Sequence, residues 1–349
     1  MTDKLLMIGS IPLDTAETAM REFGGPLGRY LPALPDGEVG PRKHWISRVH
    51  YQVFANHADL DVLRRPRPDD GVERLFPHDH TDGWQFKVKD GVARVRFSDP
   101  GWRLGYARDA INSYFVFRTL REKRVIADHL RFQVSLPMVG SVCPPRIFPA
   151  PGDLAKMQAG YVDALKAEIE TIVTHIPARD LAIQWDCATE LQDAYGAIQG
   201  LPDGDPIARN LAPARALSPL VPEDALLGYH LCFGTLGGWP RFAPDDLSGA
   251  VRLANAYAAG SGRRVDWMHI PALPRTDEAF YAPLAGLSVG GTRVYLGLVH
   301  NMESFAHRLA AARKFCRSFG LAAYCGFGRV PPEEMPTVLD EHLQAVKTA

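Results

Sequence analysis

Short apolar runs recur along this chain, each closed by glycine, proline or a polar residue, and such runs predict buried strands. The first covers residues 5–11 and ends in Gly9 and Pro12; the second, 30–34, runs into the loop Pro35-Asp36-Gly37-Glu38-Val39-Gly40-Pro41. A helical pattern over 15–23 separates them, and 42–60 reads as mixed and mainly helical. From 64 to 83 the chain turns polar and rich in Pro, His and Asp, an excursion rather than core. Apolar and charged residues then alternate over 84–89 and 92–97 on either side of Asp90-Gly91, which predicts a β-hairpin. A helix is expected over 112–128.

Beyond that point the pattern is regular. Strands are predicted at 131–139, 180–186, 226–232, 264–270, 292–299 and 320–325, with helices at 151–175, 248–259 and 302–318. Strands alternating with helices imply parallel strands covered by helices. With the two early runs the count reaches eight, the number a closed (β/α)8 barrel needs. The expected architecture is α/β: one TIM-barrel domain over 1–349, with a loop and β-hairpin inserted at 64–104. No internal repeat or low-complexity segment interrupts it.

Composition narrows the function. With 39 Lys+Arg against 40 Asp+Glu and a formal charge of −1, nothing suits a polyanion, so no nucleic-acid partner is expected. No apolar stretch reaches the roughly 18 residues that span a bilayer, and the N-terminus has no signal-peptide pattern, so the expectation is a cytoplasmic enzyme without a membrane partner. The five cysteines, 143, 187, 232, 316 and 325, are odd in number and irregularly spaced, which fits free thiols.

Barrels of this kind carry their sites at the C-terminal ends of the strands. Ser10, Glu38, Asp186, His230, Cys232, His300 and Cys325 all stand at or just past the end of a predicted strand. Alternate residues of a strand share a face, so His230 and Cys232 can converge from one strand, with Cys325 as a third donor. Imidazole with two thiolates suits zinc that keeps an open coordination position. Each residue also has a plain structural reading. The cysteines can be small buried apolar groups, His300 a satisfied structural histidine, Asp186 a helix cap, and Ser10 and Glu38 turn residues.

The chain resembles the catalytic barrel of cobalamin-independent methionine synthase, within the wider group that includes uroporphyrinogen decarboxylase. Ile8-Gly9-Ser10 is similar to that family's opening Ile-Gly-Ser, Gly37-Glu38 to its Gly-Glu, and Ile183-Gln184-Trp185-Asp186 to its Ile-Gln-Ile-Asp strand. His230-Leu231-Cys232 and Cys325-Gly326 resemble its zinc ligands, and Val299-His300 its Ile-His. The resemblance implies substrate binding by Ser10 and Glu38, catalytic roles for His300 and Asp186, and a zinc ion on His230, Cys232 and Cys325. The cofactors implied are that zinc and a folate (tetrahydropterin) as methyl donor or carrier.

Departures accompany it. The strand after His-x-Cys reads Val265-Asp266-Trp267-Met268-His269-Ile270-Pro271, without the family's glutamate ligand; His269, Asp266 or the substrate thiol could take that place. Asp-Glu-Pro has become Asp186-Cys187-Ala188, and the Gly-Pro-Val-Thr strand is blurred in 136–141. The expected function is therefore a zinc-dependent methyltransferase acting on a small thiol such as homocysteine. The donor stays open among a methylated pterin, an S-methyl and an O-methyl compound. A metal-independent lyase or decarboxylase on the same barrel is the alternative.

Overall fold

The computed structural model describes residues 3–97 and 103–349. In chain order its strands are β1 (Leu5–Leu6), β2 (Ala33–Pro35), β3 (Leu60–Arg64), β4 (Gln85–Val88), β5 (Arg131–Pro137), β6 (Leu181–Cys187), β7 (Leu226–Leu231), β8 (Trp267–Pro271), β9 (Arg293–Val299) and β10 (Gly320–Ala323). Eight of them form one sheet in the order β1-β10-β9-β8-β7-β6-β5-β2, with every pairing parallel. The two outer strands meet across a narrow gap. Lys4 N donates to Tyr30 O at 3.0 Å, and Gln133 Nε2 of β5 donates to Met7 O and Ile8 O at 3.0 and 2.8 Å. The sheet is thus a nearly closed (β/α)8 barrel, as the sequence pattern predicts.

Strand parity builds the interior in layers. Leu6, Ile8, Ala33, Ala182, Trp267, Tyr295 and Ala322 form a buried apolar cluster of their own. Above it Gln133 and Gln184 bridge the strands, Gln184 Nε2 donating to Ile8 O at 2.7 Å. Two residues further along β6, β7 and β8 come Asp186, His230 and the end of the β8 strand, so the same parity that packs the floor delivers polar groups to the mouth.

The helix Pro151–His175 matches its prediction in both bounds. Proline fills its first turn, Asp153 and His175 complement the dipole at its two ends, and Leu154, Met157, Tyr161, Leu165, Ile169 and Ile172 form its buried stripe. The helix expected over 112–128 instead runs Tyr106–Glu122. Glu168, from the neighbouring helix, accepts from Gly105 N at 2.9 Å and Ala107 N at 2.5 Å, so its start is capped by a residue distant in sequence.

The inserted region also differs in its pairing. β4 is the first arm of the predicted hairpin, but it pairs antiparallel with β3 rather than with 92–97. Residues 92–97 form no strand; Val95 and Phe97 are buried against the helix Pro151–His175, where a Cβ on Gly160 would stand 2.5 Å from Val95 O. Burying two apolar side chains against a helix outweighs a second ladder, which leaves Leu60–Arg64 as the partner. The excursion at 65–83 folds over the barrel mouth, where Phe76 packs on the rings of His44 and Tyr51 at 4.2 and 5.2 Å. Among the described residues no helix is long and apolar enough to cross a membrane.

Candidate metal centre

The loop after β1 is tied to the loops after β2 and β10. Ile11 N donates to Gly37 O at 2.7 Å, and Phe327 N to Ser10 O at 2.8 Å. These bonds bring Ser10, Glu38 and Cys325 to one side of the mouth. Glu38 holds a left-handed backbone, φ 49°, which a non-glycine residue rarely adopts. Asp36 fixes it there, accepting from Glu38 N at 2.9 Å while its other oxygen accepts from Arg42 Nη1 at 2.7 Å.

His230, Cys232 and Cys325 meet, with one donor atom from each lying within 4.8 Å of the other two. The two sulfurs are 3.2 Å apart and Cys325 Sγ is 3.6 Å from His230 Nε2. All three residues are buried. Gly234 N points at Cys232 Sγ from 3.3 Å. This amide favours a thiolate there. The hydrogen bond from Cys325, ahead of the opposing effect of burial, holds the Cys232 thiol below its ordinary value, while the same bond and burial raise Cys325. One negative charge shared by two sulfurs is the arrangement a cation would complete.

His269 sets the direction of the imidazole. In the β7–β8 register it lies directly beside His230, and both rings face the barrel interior. His269 Nε2 contacts Ala323 O at 3.0 Å, and His269 Nδ1 contacts His230 Nδ1 at 2.7 Å. A carbonyl can only accept, so His269 carries its proton on Nε2 and accepts at Nδ1 from His230 Nδ1–H. The lone pair of His230 Nε2 is thereby aimed at the sulfurs. Both nitrogens of His269 are then engaged, which removes it as a fourth metal donor. Asp266 is removed as well: it sits at the other end of β8, accepting from Leu227 N at 2.8 Å and pairing with Arg264 at 2.9 Å.

A cavity of about 130 Å³ opens above the cluster, and Ser10, Glu38, Asp186, His230, Cys232 and Cys325 all line it. The Ser10 hydroxyl donates to Glu38 Oε2. Burial, reinforced by the charge of Asp186 and opposed by Ser10, raises the Glu38 carboxyl to about 8. Burial likewise raises Asp186 to about 7, against the pull of His230 and of Gln184, whose Nε2 donates to Asp186 Oδ1 at 2.8 Å. His230 is shifted upward, because Cys232 and Asp186 overcome the effect of burial.

His300 stands apart from this group and does not line the cavity. Its Nε2 contacts Ala272 O at 2.8 Å, and its ring stacks on Tyr324, centroids 4.9 Å apart, beside Trp239 at 5.1 Å. Burial lowers its pKa to about 4. His269, raised from the sequence only as a possible ligand, serves instead to orient His230, and the structure adds Arg146 and Arg241, which reach the cavity from loops. Arg146 directly follows Cys143-Pro144-Pro145, beyond the short helix Val139–Val142 that succeeds β5, where no strand-end signal marks it.

The donor set fits zinc: two sulfurs, one imidazole nitrogen with its tautomer fixed by a second residue, and an open side facing a cavity. Among solved structures the chain is similar to a B12-independent methionine synthase from Shewanella sp. W3-18-1 in complex with selenomethionine, with a TM-score of 0.63 at 12% identity over 100% of this chain and 98% of that one. The fold is that of the B12-independent methionine synthases. A candidate vitamin B12-independent methionine synthase from Listeria monocytogenes gives a TM-score of 0.56 at 15% identity, covering 98% of this chain and 96% of its own. No protein-family model and no curated protein sequence matches the chain.

Proposed function

We propose that the protein is a zinc-dependent methyltransferase that passes a methyl group to a small thiol, homocysteine first among the candidates. The reading rests above all on His230, Cys232 and Cys325 meeting at the floor of a cavity whose walls carry Glu38 and Asp186. His230 Nε2 and the two cysteine sulfurs would hold zinc, with the open side of the cluster left for the acceptor's sulfur. When bound, zinc would supply a thiolate at neutral pH, where a free thiol with a pKa of about 8.5 is mostly protonated.

The chain's own residues do the rest. Glu38, fixed by Asp36 and Ser10, faces the cavity as the partner for an ammonium group; a cation placed against it would favour its ionised form. The Ser10 hydroxyl is committed to Glu38, so its part is to aim that carboxyl. Asp186, held by Gln184, stands at the end of β6, where it would steady positive charge on a methyl donor. Holding donor carbon and sulfur in line at near-attack distance is the principal contribution asked of the cavity. The donor class remains a methylated pterin, an S-methyl or an O-methyl compound. His300, behind Tyr324 and Trp239, would act by supporting the cavity wall rather than by handing a proton to the leaving group.

The test is methionine formation. Zinc-loaded protein, homocysteine and each donor class in turn should yield methionine by mass spectrometry with one class. Absence of product with all of them, or full turnover of another reaction by metal-free protein, would favour the lyase reading.

A further inference from the structure

Among the cations that line the cavity, Arg146 and Arg241 are in no ion pair with any described residue. Arg146 lies in the loop after β5, and that loop is fixed: Gln85 Nε2 donates to Arg146 O at 3.2 Å and Phe86 N to Ile147 O at 2.9 Å. Arg241 lies in the loop after β7, pinned by Arg241 N to Gly234 O at 2.9 Å and Phe242 N to Phe233 O at 3.1 Å. Both side chains line the cavity. Arg146 Nε is buried without a hydrogen-bond partner among the described residues. Neither guanidinium forms a salt bridge among the described residues; instead the charge of Arg241 adds to burial in opposing that of Arg146, and burial opposes Arg241. Arg42, Arg48 and Arg209, by contrast, each meet a carboxylate at close range, Arg42 that of Asp36 and Arg48 that of Asp109 at 2.7 Å, and Arg209 that of Asp193 at 2.9 Å.

An arginine stays protonated in a protein, so two of them close together and partly desolvated destabilise the empty cavity. A ligand anion relieves both the desolvation and the mutual repulsion, and the guanidinium fork matches a carboxylate or phosphate. Position says which ligand. Glu38 and Ser10 belong to the β1–β2 side of the mouth, whereas Arg146 and Arg241 issue from the loops after β5 and β7, flanking Asp186 on β6.

We propose that Arg146 and Arg241 form an anion subsite that holds an acidic group of the methyl donor, so that the donor is an anionic small molecule. This rests on the methyl-transfer reading above. The subsite would anchor the donor at a distance from the reacting carbon, and its binding energy would set the donor's orientation over the sulfur.

The experiment uses the protein as purified, with inorganic phosphate and succinate as probes for the two acid chemistries, against chloride at constant ionic strength. Melting temperature is followed as each probe is titrated. At least one probe is expected to raise it saturably, phosphate if the donor is a phosphate ester and succinate if it is a carboxylic acid. In Arg146→Gln/Arg241→Gln the apparent Kd should weaken at least about tenfold, the loss of a charge-assisted fork. Zinc content should be unchanged. Without any probe the double variant should melt no lower than the wild type, because a repulsive pair has been removed. Equal binding by wild type and variant, no binding of either probe, or a variant that melts lower in chloride would overturn the subsite. Displacement of the bound probe by homocysteine would assign the pair to the acceptor and overturn the donor assignment. Probe binding through both arginines in zinc-loaded protein that forms no methionine with any donor class would overturn the methyl-transfer reading and leave the subsite standing.

Discussion

His269 shows how a residue that binds nothing can decide a site. It accepts from His230 Nδ1 and donates to Ala323 O, so the imidazole that faces the sulfurs is held as a lone-pair donor. Gly297 makes room for this arrangement: a Cβ there would stand 3.1 Å from His269 Nε2 and 2.9 Å from Tyr324 Cα. Removing such a partner of a metal-ligating histidine typically weakens metal affinity about 10–100-fold. That loss is expected for His269→Ala in competition against a chromophoric chelator, with partial recovery in His269→Gln, whose amide oxygen can still accept. Unchanged affinity in both variants would reduce His269 to packing. The His-x-Cys pair was legible in the sequence because parity within one strand places both residues on one face. His269 was not, because parity alone leaves open which face of a strand looks inward. The strand-end rule that collected Ser10, Glu38 and Asp186 also collected His300, which an aromatic stack holds away from the cavity. Nothing in the local sequence encodes that stack.

At the scale of elements, the strands of the second half were readable to within a few residues because apolar runs bounded by turns are local signals. The start of the helix Tyr106–Glu122 was not, since its cap comes from Glu168. The strand pairing of the insertion was misread for the same reason, its outcome being set by a helix about 65 residues onward that covers Val95 and Phe97. Tertiary ties of this kind can be measured. Asp180, just before β6, accepts from Arg121 Nη2 at 2.7 Å and Tyr114 Oη at 2.6 Å, joining the barrel to the helix Tyr106–Glu122. Burial alone would raise its pKa, but these bonds hold it below the ordinary carboxylate value. A depressed pKa contributes stability above the unfolded value of about 3.9, lost as pH falls through the folded value. Asp180→Asn should therefore lower stability by about 2 kcal/mol at pH 7, and the gap to wild type should close below about pH 4 in denaturant titrations. A gap that does not narrow as the pH is lowered below about 4 would assign the effect to packing instead. Gly228 on β7 lies under Trp267, where a Cβ would stand 1.9 Å from the ring. Gly228→Ala is expected to cost about 3 kcal/mol or more, or to abolish soluble expression, since the ring is buried in the apolar cluster with Leu6, Ile8 and Tyr295.

For the molecule as a whole, the barrel brings cations, carboxyls and the sulfur cluster into one cavity. Lys43, Arg146, Arg241 and Arg329 line the cavity with Glu38 and Asp186. The excursion at 65–83 closes one side of it, Pro77 and Gly83 forming part of the lining. The cavity therefore draws anions in while presenting a metal-binding floor. If the metal binds the folded chain alone, its removal must show globally: stabilisation by a ligand at a thousand times its Kd is about 4 kcal/mol. Melting temperature should fall on chelation and return with added zinc. The claim on which the rest depends is that His230, Cys232 and Cys325 hold one zinc ion, and its most direct test is elemental analysis of protein purified without chelators. About one zinc per chain is expected for the wild type, falling to a small fraction in Cys232→Ser and in Cys325→Ser. Zinc absent from the wild type, or undiminished in both variants, would contradict the assignment.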